Sequence, residues 1–338
     1  MDYGISVKLC IKISKDVHTI DKERKMAAWK ILLTDGLEEN GQEILRKTAE
    51  VVDNPTITAD ELLQVVGEYD ALIVRGRTKV TQAVFEAGKN LKVVGRAGVG
   101  VDNIDLAAAR AKGVAVVNAP VSTSISVAEL TLALMLSLVR ETPRADAGMK
   151  NGKWLKKELE GTELYGKTLG IIGFGRIGSL VAARCTAFGM RVIGYDPQLN
   201  AEEVARRGGE YVSLDDLLAQ ADMISLHIPL TADTRGIINE AAITKMKDGV
   251  RIVCAARGGV IDETALLAGL ESGKVAGAAL DVFATEPPGQ TALVNHPHVV
   301  CSPHVGAQTA EAQVRAAVDI SNEVLAALNG ETLRWKVA

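Results

Sequence analysis

The sequence predicts an α/β protein with doubly wound parallel sheets, in which buried strands are covered by helices on both faces. Short runs rich in β-branched residues alternate with stretches of helical period along most of the 338 residues, which is typical of parallel sheets with right-handed crossovers. Hydrophobic residues make up 47% of the chain but aromatic residues only 4%, as expected where strands are buried on both sides. A glycine-rich strand–turn–helix unit in the middle of the chain is the third observation.

The predicted strands are short and evenly distributed from residue 30 to residue 281. They are Lys30 to Thr34, Ala71 to Val74, Lys92 to Gly95, Ala115 to Asn118, Thr168 to Gly173, Arg191 to Tyr195, Met223 to His227, Arg251 to Ala255 and Gly277 to Asp281. Helical stretches lie between most of them, such as Ala128 to Arg140 and Ser179 to Phe188. The sequence therefore predicts two Rossmann-like lobes.

The position of the glycine-rich unit predicts the domain organisation. Because it begins near residue 168, a lobe must precede the nucleotide-binding lobe. We expect residues 26–121 and 307–338 to form a discontinuous substrate-binding domain, and residues 122–306 to form the nucleotide-binding domain.

Residues 1–25 differ from the rest of the chain. Ile5, Val7, Leu9, Ile11 and Ile13 alternate with polar residues, and a charged run leads to a second apparent start at Met26. We expect a peripheral N-terminal extension. The alternative is an additional edge strand, because the alternation has the period of a strand.

Charge and cysteine content exclude several classes of function. The net charge is −4 and no run of Lys or Arg stands out, so we expect no nucleic-acid partner. No apolar stretch reaches the length of a membrane span, and we expect no membrane partner. The four cysteines have no paired spacing, which argues against disulfides and a cysteine zinc site, and indicates a reducing, cytoplasmic location with no bound metal.

The glycine-rich turn is Gly173-Phe174-Gly175-Arg176-Ile177-Gly178, directly after the buried strand Thr168 to Ile172. In this pattern Gly173 permits the tight turn, Gly175 lets backbone approach a pyrophosphate, and Gly178 lets helix and strand pack closely. The N-terminus of the following helix offers free N–H groups and a partial positive charge. The turn predicts a dinucleotide site.

Asp196 follows the next strand, eighteen residues after Gly178. A carboxylate at this offset accepts hydrogen bonds from ribose hydroxyls and repels a 2′-phosphate, so NAD is favoured over NADP. The alternative interpretation is a structural turn with a helix-capping Asp.

A set of reactive side chains lies late in the chain. Arg257 follows a strand and precedes two glycines, and Asp281 ends another strand. Glu286 and His304 follow in loops that contain proline. Oxidising an alcohol by hydride removal requires a base, for which His304 is the natural candidate, with Glu286 as its carboxylate partner. The guanidinium fork of Arg257 suits a carboxylate.

Two earlier loops predict an anion site for the substrate. Gly95-Arg96-Ala97-Gly98-Val99-Gly100 follows a strand, and its glycines could expose N–H groups to an anion. Arg75 and Arg77 follow another strand. The alternative for this pair is a solvated surface.

Together these motifs resemble the D-isomer-specific 2-hydroxyacid dehydrogenase family. The stretches that carry the resemblance are Val94 to Asn103, Gly161 to Leu164, Gly173 to Gly178, Ala256 to Glu263, Ala278 to Phe283, Glu286 to Pro288 and Pro303 to Ala307. They extend over nearly everything after Met26.

The resemblance implies an NAD-dependent enzyme with Arg257, Glu286 and His304 as catalytic residues, His304 being the acid–base group. It places Asp281 near the nicotinamide and Arg75, Arg77, Arg96, Gly98, Val99 and Gly100 at the substrate. The cofactor residues it implies are Val99, Gly173, Gly175, Arg176, Ile177, Gly178, Asp196, Ile228, Thr234, Ala255, Asp281 and Gly306. A homodimer is implied, with Ala128 to Arg140 in the interface.

The expected reaction is the interconversion of 3-phospho-D-glycerate and 3-phosphohydroxypyruvate in serine biosynthesis. Reduction of glyoxylate or hydroxypyruvate, or turnover of another D-2-hydroxyacid, is the alternative, and a non-enzymatic NAD-sensing corepressor is a remote one. The chain departs from the family pattern at Val99, where Thr is frequent, and before Met26. Since longer members continue into regulatory modules, we expect a short form without inhibition by serine.

Overall fold

The computed structural model describes residues 29–338. The predicted extension over residues 1–25 lies outside the described residues. The strands are β1 (Trp29–Leu33), β2 (Ala49–Asp53), β3 (Ala71–Val74), β4 (Val93–Arg96), β5 (Ala115–Asn118), β6 (Thr168–Ile172), β7 (Arg191–Tyr195), β8 (Glu210–Tyr211), β9 (Met223–Leu226), β10 (Val250–Cys254), β11 (Val275–Leu280) and β12 (Val299–Cys301).

Helices connect most of these strands, and a 3-10 turn lies at Val66–Glu68. The helices are α1 (Glu39–Arg46), α2 (Ala59–Val65), α3 (Gln82–Ala87), α4 (Leu106–Lys112), α5 (Ser124–Arg140), α6 (Thr142–Lys150), α7 (Arg176–Ala187), α8 (Ala201–Arg206), α9 (Leu214–Gln220), α10 (Glu240–Lys245), α11 (Glu263–Glu271) and α12 (Ala310–Leu328).

Side-chain caps define several helix starts. The Thr58 side chain accepts from the backbone N–H of Glu61, whose carboxylate accepts from the Thr58 N–H, and together they form a capping box before α2. Asn200 and Glu203 form the same arrangement before α8. Such caps satisfy amide groups that a helix leaves unpaired at its first turn, and each contributes about 1 kcal/mol.

The strands form two wholly parallel sheets. The first has the order β2-β1-β3-β4-β5, and the second has the order β12-β11-β10-β9-β6-β7-β8. The six strands β8-β7-β6-β9-β10-β11 follow the order of the dinucleotide-binding fold, and the first sheet follows the other common doubly wound order. The predicted α/β class and parallel sheets are confirmed.

Both faces of the second sheet are covered. In β6, Leu169 and Ile171 pack in one apolar cluster with helices α5 and α7, whereas Ile172 packs in a second cluster with helices α9, α10 and α11. In β10, Val253 belongs to the first cluster and Ile252 to the second. Burial on both faces is the reason these strands have continuous apolar sequences instead of alternating ones.

The described chain divides into two compact units. Unit 1 contains residues 29–119 and Ala316–Ala338, and unit 2 contains Pro120–Arg315. These boundaries lie two residues before and nine residues after the predicted domain boundaries. The second difference arises because α12 is one continuous helix, and its later part packs in unit 1 through Ala317, Ile320 and Val324.

Candidate active site

Six strands of the second sheet end at one edge, and each is followed by a candidate site residue. Because all strands are parallel, their carboxyl ends lie together, which is where open α/β sheets bind ligands. The residues in question are Gly173 after β6, Asp196 after β7, Ile228 after β9, Ala255 and Arg257 after β10, Asp281 after β11 and His304 after β12.

The glycine turn fits a nucleotide phosphate. Gly173 has a φ of 93°, and a Cβ there would lie 2.6 Å from the His227 carbonyl oxygen. A Cβ on Gly178 would lie 2.2 Å from the Gly173 oxygen, so close packing of helix on strand requires glycine. At Gly175 a Cβ would meet nothing within 4 Å, which leaves open space beside the backbone.

Helix α7 begins within this turn, at Arg176, and Ile177 lies in its first turn. Its N-cap residue, Gly175, supplies no side-chain hydrogen bond to the first turn. The amide groups of that turn are therefore available to an external acceptor, and the helix dipole favours an anion there. The predicted dinucleotide site thus has a cradle of the right chemistry.

The side chain of Asp196, directly after β7, forms a hydrogen bond with the glycine turn. Its Oδ2 accepts from the Phe174 N–H at 2.9 Å, and its Oδ1 accepts from the Gln198 N–H at 2.9 Å. Arg207, which the sequence analysis missed, donates to the Phe174 carbonyl at 2.7 Å. The carboxylate is thereby held beside the turn with only one backbone bond to each oxygen.

The remaining predicted cofactor residues of unit 2 line the same edge. Ile228 and Ala255 are each 8% exposed. A Cβ on Gly173 would lie 2.7 Å from the Ile228 Cγ2, so that side chain closes one side of the glycine turn. The Thr234 hydroxyl donates to the Pro229 carbonyl at 2.6 Å and accepts from the Thr231 N–H at 2.7 Å, which stabilises the loop after β9.

His304 and Glu286 form a hydrogen-bonded pair. The His304 Nδ1 lies 2.7 Å from the Glu286 Oε2, with side-chain exposures of 50% and 36%. The Glu286 Oε1 accepts from the Phe283 N–H at 3.0 Å. Because an ionised carboxylate only accepts, Nδ1 carries the proton and Nε2 keeps its lone pair in the neutral ring. The ring is therefore oriented as a proton acceptor at Nε2.

The turn that carries His304 is organised by Asp281. The Asp281 carboxylate is 1% exposed and accepts from the Ser302 hydroxyl at 2.5 Å, the Val305 N–H at 2.9 Å and the Gly306 N–H at 2.9 Å. The His304 N–H donates to the Asp281 carbonyl at 2.8 Å. The φ of His304 is 53°, a left-handed value that few non-glycine residues adopt, so these bonds hold an unfavourable backbone in place.

Asp281 and Gly306 are both predicted to contact the cofactor. In this structure the buried Asp281 carboxylate accepts from the Gly306 N–H. The reason is that the end of β11 and the loop after β12 lie side by side, so a carboxylate at position 281 reaches the 302–306 turn. Ser302 was not predicted, and no local pattern marks it.

Arg257 lies half-buried on the loop after β10. Its NH1 donates to the Ala256 carbonyl at 2.6 Å, which folds the side chain back along its own loop. A Cβ on Gly258 would lie 1.7 Å from the Phe283 carbonyl oxygen. Only glycine therefore allows the Arg257 loop to pack against the loop that carries Glu286.

In unit 1, the predicted anion residues occupy two loops that follow neighbouring strands, β3 and β4. Arg77 pairs with Asp35 at 3.2 Å and donates to the carbonyls of Ile57 and Thr34. The guanidinium of Arg77 therefore already has partners within the protein.

The second loop contains Arg96, Gly98, Val99 and Gly100. The Arg96 NH1 donates to the Ala97 carbonyl at 2.7 Å. Gly98 has a φ of 146°, and a Cβ there would lie 1.6 Å from the same NH1, so glycine lets the guanidinium fold over the loop. The Asn118 side chain donates to the Val99 carbonyl at 2.7 Å and holds the loop from β5.

Between residues 29 and 338, no three His, Cys, Asp or Glu side chains are grouped as metal ligands would be. In the same part of the chain, none of the helices has both the length and the apolar character that crossing a membrane requires.

The fold and this site define the class of protein. The sequence profile of the D-isomer specific 2-hydroxyacid dehydrogenase, NAD binding domain, matches residues 132–306. The chain belongs to this family, as its motifs indicated, and the expectation of NAD is confirmed.

Relatives and solved structures agree with this assignment. D-3-phosphoglycerate dehydrogenase from Methanocaldococcus jannaschii is 50% identical over 303 residues, which are 89% of this chain and 58% of that protein. Hydroxypyruvate reductase from Thermotoga maritima is 48% identical over 88% of this chain and 98% of its own length. A crystal structure of a glyoxylate reductase from Paecilomyes thermophila has a TM-score of 0.85 at 35% identity, and the match covers 92% of this chain and 99% of that one. The chain thus spans little more than half the length of the phosphoglycerate dehydrogenase.

Proposed function

We propose that this chain interconverts 3-phospho-D-glycerate and 3-phosphohydroxypyruvate with NAD. The observation that carries the proposal is the 2.7 Å pair between Glu286 and His304, on the sheet edge that also holds the glycine turn and Arg257. A carboxylate–histidine pair beside a dinucleotide cradle is suited to oxidising a secondary alcohol.

The glycine turn and Asp196 would hold NAD, which would supply the acceptor for the hydride of C2 of the hydroxy acid. In this direction the Nε2 of His304 takes the proton of the C2 hydroxyl, and in the reverse direction the protonated ring returns it to the carbonyl oxygen. Glu286 stabilises the imidazolium that forms, because its carboxylate already bonds to Nδ1. A well-placed acid–base group of this kind accelerates a reaction by roughly 100- to 10,000-fold.

Arginine side chains are assigned to the anionic groups of the substrate. Arg257 binds the carboxylate through its guanidinium fork, whose planar geometry suits two oxygens. Arg75 and Arg96, with the backbone of Gly98, Val99 and Gly100, are assigned to the remaining anionic contacts. Arg77 is not included, because Asp35 and two carbonyls already bind its guanidinium.

A second candidate is the reduction of hydroxypyruvate or glyoxylate. The hydroxypyruvate reductase relative supports it, because its match covers nearly that whole protein. Relatives of the reductase type often carry an aromatic residue soon after the catalytic histidine, whereas Ala307, Gln308 and Thr309 follow His304 here. This difference favours the phosphorylated substrate.

A substrate panel with NAD and NADP tests both candidates. We expect NADH to form from 3-phospho-D-glycerate, and we expect NADP to be used at least tenfold less well because Asp196 repels a 2′-phosphate. Efficient reduction of glyoxylate or hydroxypyruvate, without any reaction of the phosphorylated acids, would overturn the phosphoglycerate assignment. No turnover by wild type would favour the NAD-sensing corepressor, whereas unchanged turnover in His304→Ala and Arg257→Ala would overturn the catalytic roles assigned to these residues.

We propose a homodimer as the working form, with α5 in the interface. Exposed apolar side chains at Ile125, Met149 and Trp154 support it, since their exposures are 45%, 58% and 77%. Sedimentation equilibrium is expected to show twice the chain mass, and Trp154→Glu is expected to shift it towards the monomer.

A cytoplasmic location is proposed from the unpaired cysteine spacing, with no nucleic-acid or membrane partner.

A further inference from the structure

Asp35 occupies an unusual position for a charged residue. It follows β1, and its carboxylate is only 3% exposed. β1 pairs with β3 in parallel, so position 35 lies beside the loop that follows β3 and contains Arg75. A buried carboxylate is costly unless each of its oxygens is bonded, and in this structure each oxygen is.

The carboxylate binds the Arg75 loop at two positions. The Asp35 Oδ2 accepts from the Arg75 N–H at 2.7 Å and from the Thr78 N–H at 3.1 Å. The Asp35 Oδ1 accepts from the Thr78 hydroxyl at 2.5 Å. The first part of the loop, from Arg75 to Thr78, is therefore held by one rigid group.

Asn103 holds the same loop from the other side. Its Nδ2 donates to the Arg75 carbonyl at 3.0 Å and to the Thr78 carbonyl at 2.7 Å. The backbone N–H groups of Arg75 and Thr78 thus bond to Asp35, and their backbone carbonyls bond to Asn103. This full set of bonds fixes the backbone from which the Arg75 side chain projects.

Arg77 completes the arrangement by balancing the charge of Asp35 at 3.2 Å. Without this partner the buried carboxylate would weaken the binding of an anion at the neighbouring Arg75. Because Asp35 is paired with Arg77, its negative charge does not oppose the binding of an anion at Arg75.

We propose that Asp35 is a positioning residue for substrate binding, which acts together with Asn103 by fixing the backbone that presents Arg75 to an anionic group of the substrate. The inference rests on the proposed function, because it requires that the chain bind an anionic hydroxy or oxo acid. In this proposal Asp35, in the loop after β1, acts through Arg75 and does not itself touch the substrate or the cofactor. An arginine whose backbone is fixed before the ligand arrives loses less conformational freedom when the ligand binds.

The test compares steady-state kinetics of Asp35→Ala with those of Asp70→Ala. Asp70 also accepts a backbone N–H, from Lys30 at 3.0 Å, and pairs with a cation, Lys92 at 2.8 Å, but it precedes β3 and lies at the opposite end of the sheet. We expect Asp35→Ala to raise KM for the acid substrate about tenfold or more, whereas kcat and the Kd for NAD change less than threefold. Asp70→Ala is expected to lower the Tm without changing KM.

Conservative substitution gives a second readout. In Asp35→Asn one oxygen remains to accept from the Arg75 and Thr78 N–H groups, so KM is expected to fall between those of wild type and Asp35→Ala. If Asp35→Ala fails to fold, Asn103→Ala carries the test from the other side of the loop, with the same rise in KM expected.

Three outcomes would overturn the proposal. They are a wild-type KM in folded Asp35→Ala or Asn103→Ala, an equal rise in KM in Asp70→Ala, or a wild-type KM in Arg75→Ala. The proposed function fails differently, through wild type that turns over no hydroxy or oxo acid, in which case this inference falls with it. Turnover of hydroxypyruvate alone would overturn only the phosphorylated substrate, because the KM comparison is then made with hydroxypyruvate.

Discussion

Glu286 is held at both carboxylate oxygens, and one of them bonds to the ring of His304. Its Oε2 lies 2.7 Å from the His304 Nδ1, and its Oε1 accepts from the Phe283 N–H at 3.0 Å. The partner of the ring is therefore fixed by its own loop. A substitution can therefore remove the negative charge of Glu286 while its side chain stays bonded to its own loop.

Glu286→Gln is expected to keep the fold but to lower activity. The amide can still accept from Phe283, but it no longer supplies the negative charge that stabilises the imidazolium. Since reduction of the oxo acid requires the protonated ring, we expect kcat for reduction at neutral pH to fall about 10- to 100-fold, and to fall more than kcat for oxidation. Initial rates in both directions measure the difference.

Glu263→Gln is the matched control. The Glu263 carboxylate accepts from the Ala284 N–H at 2.6 Å in the same loop, yet no bond joins it to His304. Its kcat is expected to stay within about twofold of wild type, because a neutral amide oxygen can replace that acceptor. Equal losses in the two variants would show that Glu286 acts only through the loop.

Substitutions at two glycines of the turn are expected to differ in effect, since one should weaken NAD binding and the other should lower stability. Gly175→Ala adds a methyl group where nothing lies within 4 Å, so its Tm is expected to match that of wild type. The methyl group would occupy the space in which backbone approaches the pyrophosphate, so we expect the Kd for NAD to rise at least tenfold. Calorimetric titration with NAD measures this Kd.

Gly178→Ala is expected to lose stability first. Its Cβ would lie 2.2 Å from the Gly173 carbonyl oxygen, a contact that backbone atoms cannot relieve without moving β6 or α7. We expect the free energy of unfolding to fall by about 1–3 kcal/mol, as for other overpacked core positions. Wild-type stability in this variant would contradict the packing described for the turn.

The substitution Asp281→Asn is expected to lower both the stability of the protein and its kcat. Asp281→Asn replaces one oxygen by an NH₂ group, which then faces donors from Ser302 and Val305 or from Gly306. A buried donor left without an acceptor costs about 1–3 kcal/mol. We expect this loss in chemical unfolding, together with a lower kcat, because the same bonds hold the backbone of His304.

Ser302→Ala tests the same turn by a smaller change. It removes one donor and leaves the Asp281 carboxylate with the two backbone N–H groups. Its loss of stability is expected to be smaller than that of Asp281→Asn, and kcat is expected to be nearly unchanged. A larger loss in Ser302→Ala would show that the hydroxyl, and not the carboxylate, organises the turn.

Periodicity predicted most strands, including the edge strand β5, but missed the other three strands at the sheet edges. Ala71–Val74, Ala115–Asn118 and Arg191–Tyr195 have the predicted bounds. β2, β8 and β12 were missed. β2 has charged residues among its apolar ones, and β8 and β12 have only two and three residues, so none has an apolar run as long as those of the central strands.

The site was predictable where chemistry coincides with a strand end. Arg257 and His304 stand out because a charged or titratable side chain follows a strand beside glycine or proline. Asp35 and Asn103 were missed because their partners lie 25 to 43 residues away, and no local pattern records such contacts. For the same reason the sequence could not distinguish Arg77, which Asp35 binds, from Arg75.

His227 predicts a pH dependence of stability. Burial lowers the pKa of its imidazole from 6.5 to about 4, and its Nε2 bonds to the Ser225 hydroxyl at 2.9 Å. The pKa in the folded state is below that of the unfolded state, so between these values the unfolded chain binds more protons. The stability contributed by neutral His227 is therefore complete above pH 6.5 and is lost as the pH falls towards 4.

His227→Gln isolates this contribution. The Gln side chain can still bond to Ser225 but does not titrate, so the free energy of unfolding should fall less steeply between pH 6.5 and pH 4 than in wild type. Other groups titrate in both proteins and cancel in the difference. His298→Gln, which removes an exposed histidine, is expected to keep the wild-type slope. Parallel curves for wild type and His227→Gln would show that the buried ring is not what makes the fold sensitive to acid.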